Sequence, residues 1–344
     1  MAEEWVALVL VRNLEVPRRR AVVGPADLVF NEFTIWDVSQ GNEQRRDQAC
    51  RSFLEAHNDD FVYDRRYASI PPARETGPSE YGAMTEDVED ALLLLRFFKP
   101  GDLTFARLKI QDPHGGLHDC LPCRPIFNMP VGTPYQMAPE ECTNWDAFAS
   151  ELKCRPAWHS PWFRVARRFF LYGGAKEFNC RRGPGTEMNE VDRIVDYMIA
   201  LEATLAPEKD DFIGKRLRER AVKLLGKEGE QADQTRKLLR GFCDLRSIVA
   251  HGSPLSDTDR DFIENNREGF EHTVREVLVE GLRKLPPSDD DRKRRLNEWW
   301  APSDAERAHK VLEDFGKIKN PEEKGRLAEC LSGRVAGGVG IKMT

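Results

Sequence analysis

The chain has 344 residues, with 52 Lys+Arg against 58 Asp+Glu and a formal net charge of −6. At ~100–200 residues per domain, this length predicts two domains and a tail, with enough chain to bury a core without disulfide or metal staples. A hydrophobic content of 40% and a charged content of 32% are those of a folded globular chain. The acidic total disfavours a protein that coats nucleic acid indiscriminately.

Trp5–Val11 and Phe33–Val38 are short β-branched and aromatic runs that read as strands, and Phe61–Ile70 reads as another. Trp5–Val11 is an apolar run of seven residues, against ~20 for a membrane span. The chain starts Met-Ala-Glu-Glu, so neither membrane insertion nor a secretory leader is expected. Glu43–His57 has helical spacing. Leu92–Phe98 suits a helix or a buried strand, since a short apolar run does not distinguish them. Lys99–Asp102 forces a turn, and Asp112–Gly116 and Pro122–Pro139 are loop-rich. The expectation for residues 1–150 is a mixed α/β domain that senses a ligand or docks a regulatory protein.

From Trp162 the pattern is helical. Candidate helices span about Trp162–Tyr172, Glu187–Ala206, Asp211–Leu225, Gln234–His251 and Thr258–Leu285. The last carries Phe262, Phe270, Val274, Val277, Leu278 and Leu282 along one face. Pro286–Asp291 reads as a linker. The remainder reads as two short helices and a Gly-rich end. The predicted class is α+β: an N-terminal α/β domain, an all-α bundle at 160–285 and a helical extension and tail at 286–344. The eight scattered cysteines are expected to be reduced, in a cytoplasmic protein.

Charge is unevenly spread. Residues 152–183 hold eight basic side chains (Lys153, Arg155, Arg164, Arg167, Arg168, Lys176, Arg181, Arg182) against the single acid Glu177. They interleave with Trp158, Trp162, Phe163, Phe169, Phe170 and Tyr172, the residue types of a phosphate-binding, base-stacking surface. The same pattern fits a helix whose aromatics face the core while its arginines are solvated. Arg164, Arg167, Arg168, Arg181 and Arg182 are the candidate RNA contacts.

Two charges fall on apolar stripes. At ~100° per residue, Glu202 lies within the stripe formed by Met188, Val191, Val195, Met198 and Ile199. Arg220 lies within the stripe of Ile213, Leu217 and Leu224. A buried charge needs a partner, so these two are expected to meet each other or to line a polar site. On the fourth helix Leu238, Phe242, Leu245 and Val249 make the stripe and Arg246 sits at its edge. His251 ends the run, followed by Gly252 as a C-terminal cap and Pro254 as a stop. Arg246 and His251 are about 140° apart on an ideal helix. They converge only if the last turn unwinds, or if two chains bring their helix ends together.

The stretch Arg246-Ser-Ile-Val-Ala-His251-Gly252 resembles the R-x4-H signature of HEPN domains, and its surroundings resemble the Apea-like HEPN family. Val191–Glu202 is similar to that family's first long helix, Arg220–Leu225 to its second, and Leu245–Gly252 to its catalytic segment. Arg167-Arg-Phe169 is similar to the lead-in. The resemblance spans about residues 160–285. It implies a metal-independent endoribonuclease without a cofactor, usually a homodimer with both R-x4-H helices at one cleft, in a bacterial anti-phage or toxin-like role against tRNA or other RNA. His251 would then act as base or acid and Arg246 would hold the phosphate through its planar fork. Ser247 would add a hydrogen bond, with Glu202, Arg220 and Asp244 in support. The alternative is a non-catalytic HEPN module that binds RNA or protein.

His114, His118, Cys120 and Cys123 are all metal-ligand types, and Cys-x2-Cys spacing suits zinc, but no second paired knuckle follows. A Gly/Pro-rich surface loop is the other reading. The sequence has no Gly-rich phosphate loop, nucleophile elbow or His-Glu-x-x-His.

Overall fold

The computed structural model describes residues 5–12, 14–16, 27–37, 61–67, 82–101, 103–111, 117–120, 134–175, 186–208 and 212–301. The run Trp5–Arg12 forms β1, and its β-branched residues suit a pleated, buried surface. Ala7, Leu8, Val9 and Val11 are all buried, so both faces of this strand are covered. β1 pairs antiparallel with β5 (Phe61–Tyr67) on one side and with β6 (Thr104–Gln111) on the other. The sheet extends through β4 (Thr34–Asp37) and β3 (Leu28–Val29) at one edge and β7 (Leu117–Cys120) at the other. Short β2 (Leu14–Glu15) and β8 (Tyr135–Gln136) form a separate parallel pair. The helix expected at Glu43–His57 lies outside the described residues.

The leucine run is helical. It belongs to α1 (Gly82–Phe98), in which Leu92, Leu93, Leu94 and Leu95 are all buried. A helix enclosed on every side shows no amphipathic period, which is why the run alone reads both ways. Tyr135 anchors α1 by donating its hydroxyl to the Leu95 carbonyl at 2.8 Å. α2 (Cys142–Lys153) packs Trp145 edge-on against Phe30 and Phe33 of the β3–β4 hairpin.

The remaining helices are α3 (Pro161–Ala175), α4 (Thr186–Leu205), α5 (Ile213–Leu225), α6 (Gly229–Ala250), α7 (Asp257–Lys284) and α8 (Asp289–Trp299). The molecule is thus α+β, with strands toward the N-terminus and a helical bundle after them. Two close approaches set the bundle's spacing. A Cβ at Gly173 of α3 would stand 2.6 Å from the Tyr197 ring of α4, and one at Gly241 of α6 would overlap the Phe262 ring of α7. Phe242 stacks on Phe270, with centroids 3.8 Å apart. On α6 the buried stripe is Ala232, Thr235, Leu239, Phe242 and Leu245, while Leu238 and Val249 are only half-buried.

The expected linker is shorter than Pro286–Asp291, because α8 begins at Asp289, with three aspartates in its first turn where the helix dipole favours them. Arg292 of α8 is buried and donates to the Ala203 and Thr204 carbonyls at the end of α4. Arg220 of α5 donates to Leu205 O at 2.7 Å. Two guanidinium groups therefore satisfy carbonyls that the end of α4 cannot satisfy internally. The chain divides into two compact units, Met1–Trp299 and Trp300–Thr344, and residues 302–344 of the second lie outside the described residues. Among the described residues no helix is long and apolar enough to cross a membrane.

Candidate active site

α4, α5 and α6 pack against one another, and this contact brings their charged residues together. The two charges on apolar stripes do not pair with each other. Arg246 Nη2 of α6 donates to Glu202 Oε2 of α4 at 3.1 Å, with the Glu202 side chain 19% exposed and the Arg246 side chain 36%. Arg220, fully buried, instead binds Glu208 through two hydrogen bonds of 2.8 and 2.9 Å and Asn297 Oδ1 at 2.8 Å. Glu208 lies beyond the end of α4, where helical periodicity carries no information, so the sequence pattern does not reveal it as the partner. Arg220 is a structural clasp, and Glu202 is free to orient Arg246.

Burial pushes the Glu202 carboxyl above its ordinary range, and the Arg246 charge only partly offsets this. Its second oxygen, Oε1, is buried with no hydrogen-bond partner among the described residues. The arrangement directs Arg246 through one hydrogen bond while leaving its side chain part-exposed.

His251 ends α6 at φ −90°, ψ 3°, with its backbone N–H bonded to Ser247 O at 3.2 Å. Gly252 follows at φ 68°, a left-handed conformation that favours glycine. The Gly252 N–H bonds to Val249 O at 2.9 Å and the Ser253 N–H to Ile248 O at 3.1 Å. These two bonds are those of a Schellman C-cap. The last turn is therefore intact, which removes unwinding as a way for Arg246 and His251 to converge within one chain. The His251 side chain is exposed and makes no hydrogen bond or ion pair with a described residue. Ser247 is exposed one residue after Arg246, and the exposed Asp244 faces Arg240 at 3.9 Å.

The chain matches no protein-family model, no curated protein and no solved structure. Function is carried by the residues and their geometry.

Among the described residues of the basic stretch, most aromatics are turned into the core. Trp158, Trp162, Phe163 and Phe170 are buried in the core, because α3 turns its aromatic face inward. Phe169 and Tyr172 remain half-buried, and the Arg168 guanidinium lies over both rings at 5.8 and 5.2 Å. Arg164 is exposed beside the exposed Val165. Arg167 is paired with Asp90 at 2.7 Å. Arg181 and Arg182 lie outside the described residues, as do His114 and Cys123. His118 and Cys120 fall on the edge strand β7, opposite Ile110 and Leu108, and only their backbone is described.

Arg218 and Cys243 lie together at the α5–α6 contact, and the sequence pattern passes over them. A Cβ on Gly214 of α5 would stand 3.7 Å from Arg218 Nη1 and 3.7 Å from Cys243 Sγ. Burial pushes the Cys243 thiol up to about 11, while the charges of Arg218 and Arg246 both pull it down.

Proposed function

We propose that this chain is an endoribonuclease of the HEPN type that cuts RNA through its own 2′-hydroxyl, without metal or cofactor. The observation that carries the reading is Arg246, its part-exposed side chain held by the half-buried Glu202 carboxylate, on the helix that ends in an exposed His251. In such a reaction a base takes the 2′-OH proton and the 2′-oxygen attacks phosphorus. The P–O5′ bond then breaks, and an acid protonates the departing oxygen. Imidazole suits either role near neutrality. A planar guanidinium suits the charged phosphorane. Two copies of the chain, with α6 ends side by side, would supply one imidazole as base and the other as acid. The intact last turn of α6 supports this reading, because a helix that does not unwind keeps Arg246 and His251 of one chain on different faces. Arg164 and Arg168, exposed on α3, would hold the flanking RNA backbone. The biological setting we propose is a cytoplasmic, anti-phage or toxin-like effector.

The test is cleavage of RNA by purified protein in EDTA. The expected products carry 2′,3′-cyclic phosphate and 5′-hydroxyl ends, and His251→Ala abolishes them. Full activity of that variant would overturn the mechanism. A second reading, a HEPN module that binds RNA or protein without cutting, is favoured by the separation of Arg246 from His251 around α6. It predicts salt-dependent RNA binding with no products.

A further inference from the structure

Among the described residues, most arginines of the bundle are ion-paired, and Arg218 is not. Arg220, Arg236, Arg246, Arg283 and Arg292 are each ion-paired. Arg218, half-buried on α5, makes no hydrogen bond or ion pair with a described residue. Its guanidinium lies at the α5–α6 contact. At Gly214, one turn earlier, a Cβ would stand 3.7 Å from both Arg218 Nη1 and Cys243 Sγ, so the guanidinium and the thiol meet beside a position that has no side chain. Arg246 follows Cys243 by three residues, so it is that cysteine's neighbour along the same face of α6. Cys243 is thus a neighbour of both arginines, and both positive charges pull its thiol down against the larger effect of burial. The facing acids are Glu202, whose burial works against its ionised form, and the exposed Asp244, which is turned to Arg240. The cluster thus has two cations and one carboxylate that resists charging, with donors left over on Arg218 and Arg246.

We propose that Arg218 and Arg246 together form a phosphate-binding site over Gly214 and Cys243, with Arg218 gripping a phosphate group of the substrate beside the one that Arg246 holds. The ligand chemistry is a pair of closely spaced phosphates. An RNA backbone supplies it, and so does a diphosphate. The proposal rests on the ribonuclease reading only for the source of the phosphates. Cys243 is a wall of the site and takes no part in bond making.

The experiment is calorimetric titration of the full chain with inorganic pyrophosphate, and anisotropy with a labelled single-stranded RNA, both in EDTA. Wild type, Arg218→Gln, Arg218→Lys and Arg246→Gln are compared. With charge-assisted hydrogen bonds removed, Arg218→Gln should weaken pyrophosphate about 10- to 100-fold, and Arg218→Lys should recover part of the loss. The slope of log affinity against log salt for RNA should fall by about one in Arg218→Gln. Its melting temperature should stay at the wild-type value, because Arg218 has no described partner to lose. Wild type failing to bind pyrophosphate, or Arg218→Gln binding it and RNA unchanged, overturns the site. If pyrophosphate binding depends on Arg218 but RNA is neither bound nor cut, the phosphate site stands and the ribonuclease reading falls. RNA cleavage that is unaffected by Arg218→Gln has the opposite meaning.

Discussion

Glu202 holds Arg246 by one oxygen only: Oε2 accepts from Nη2 at 3.1 Å, while Oε1 is buried without a hydrogen-bond partner among the described residues. A carboxylate so placed is costly to ionise. Its folded-state value is raised by burial, so the folded chain holds the Glu202 proton more tightly than the unfolded chain. Stability from this group is gained as pH falls and lost as pH rises. Glu202→Gln should therefore be at least as stable as wild type at pH 8, with the advantage shrinking toward pH 5, by urea unfolding at both values. RNA cleavage by the same variant should drop about 10-fold, since one misdirected hydrogen bond to a charged group is worth roughly that. A variant that is fully active would show that Glu202 does not position Arg246.

His251 and Gly252 should separate chemistry from fold. His251 is exposed and its side chain supports nothing described, so His251→Ala should melt within about 1 °C of wild type, as most exposed substitutions do. Gly252 at φ 68° has open space around it, and a Cβ there would meet nothing within 4 Å. The cost of Gly252→Ala is then backbone strain alone, about 1 kcal/mol. Its cleavage rate should fall as well, because the cap fixes the direction of His251. A much larger loss of stability would mean that the end of α6 packs against something beyond the described residues.

Asp90 on α1 and Arg167 on α3 are paired at 2.7 Å, yet burial pushes the Asp90 carboxyl up to about 6 against the pull of Arg167 and Lys153. An unfolded aspartate titrates near ~3.9. Between these values the folded chain binds more protons, so stability should fall as pH rises through that window and level off above it. Wild type should lose roughly 1–3 kcal/mol from pH 4 to pH 7 relative to Asp90→Asn. Parallel stability curves for the two proteins would show that Arg167 compensates the burial completely.

Gly241 is the point where α6 and α7 come closest, with the Phe262 ring occupying the place of a side chain. Gly241→Ala should cost about 1–3 kcal/mol, as overpacking does, despite alanine's better helix propensity. Gly241→Ala combined with Phe262→Leu should recover most of the loss in chemical unfolding. Failure of the second change to rescue the first would place the strain elsewhere.

The bundle was largely legible in the sequence because its helices are amphipathic and punctuated. The expected Thr258–Leu285 is Asp257–Lys284, and Glu187–Ala206 is Thr186–Leu205. The cap at Gly252 was readable because glycine followed by Ser and Pro has few other uses. The partners were not readable. A wheel shows that Glu202 and Arg220 point inward, but not which helix each meets, and Arg220 found Glu208 in a connecting segment. The aromatic, basic stretch read two ways for a related reason. Composition records which residues alternate, whereas the packing of α3 decides that Trp162 and Phe163 go in and Arg164 stays out.

The clasp on the end of α4 ties α8 to the middle of the candidate site. Ala203 and Thr204, which receive Arg292, directly follow Glu202 in the chain, and the contact with Ala203 joins residues 89 positions apart. Asn297 of α8 steadies Arg220, which holds the next carbonyl. A chain cut at residue 285 would keep every residue of the R-x4-H segment and still lose these anchors. It would fray α4 from the turn that carries Glu202, so the unit that holds the Glu202–Arg246 pair in place extends through residue 299.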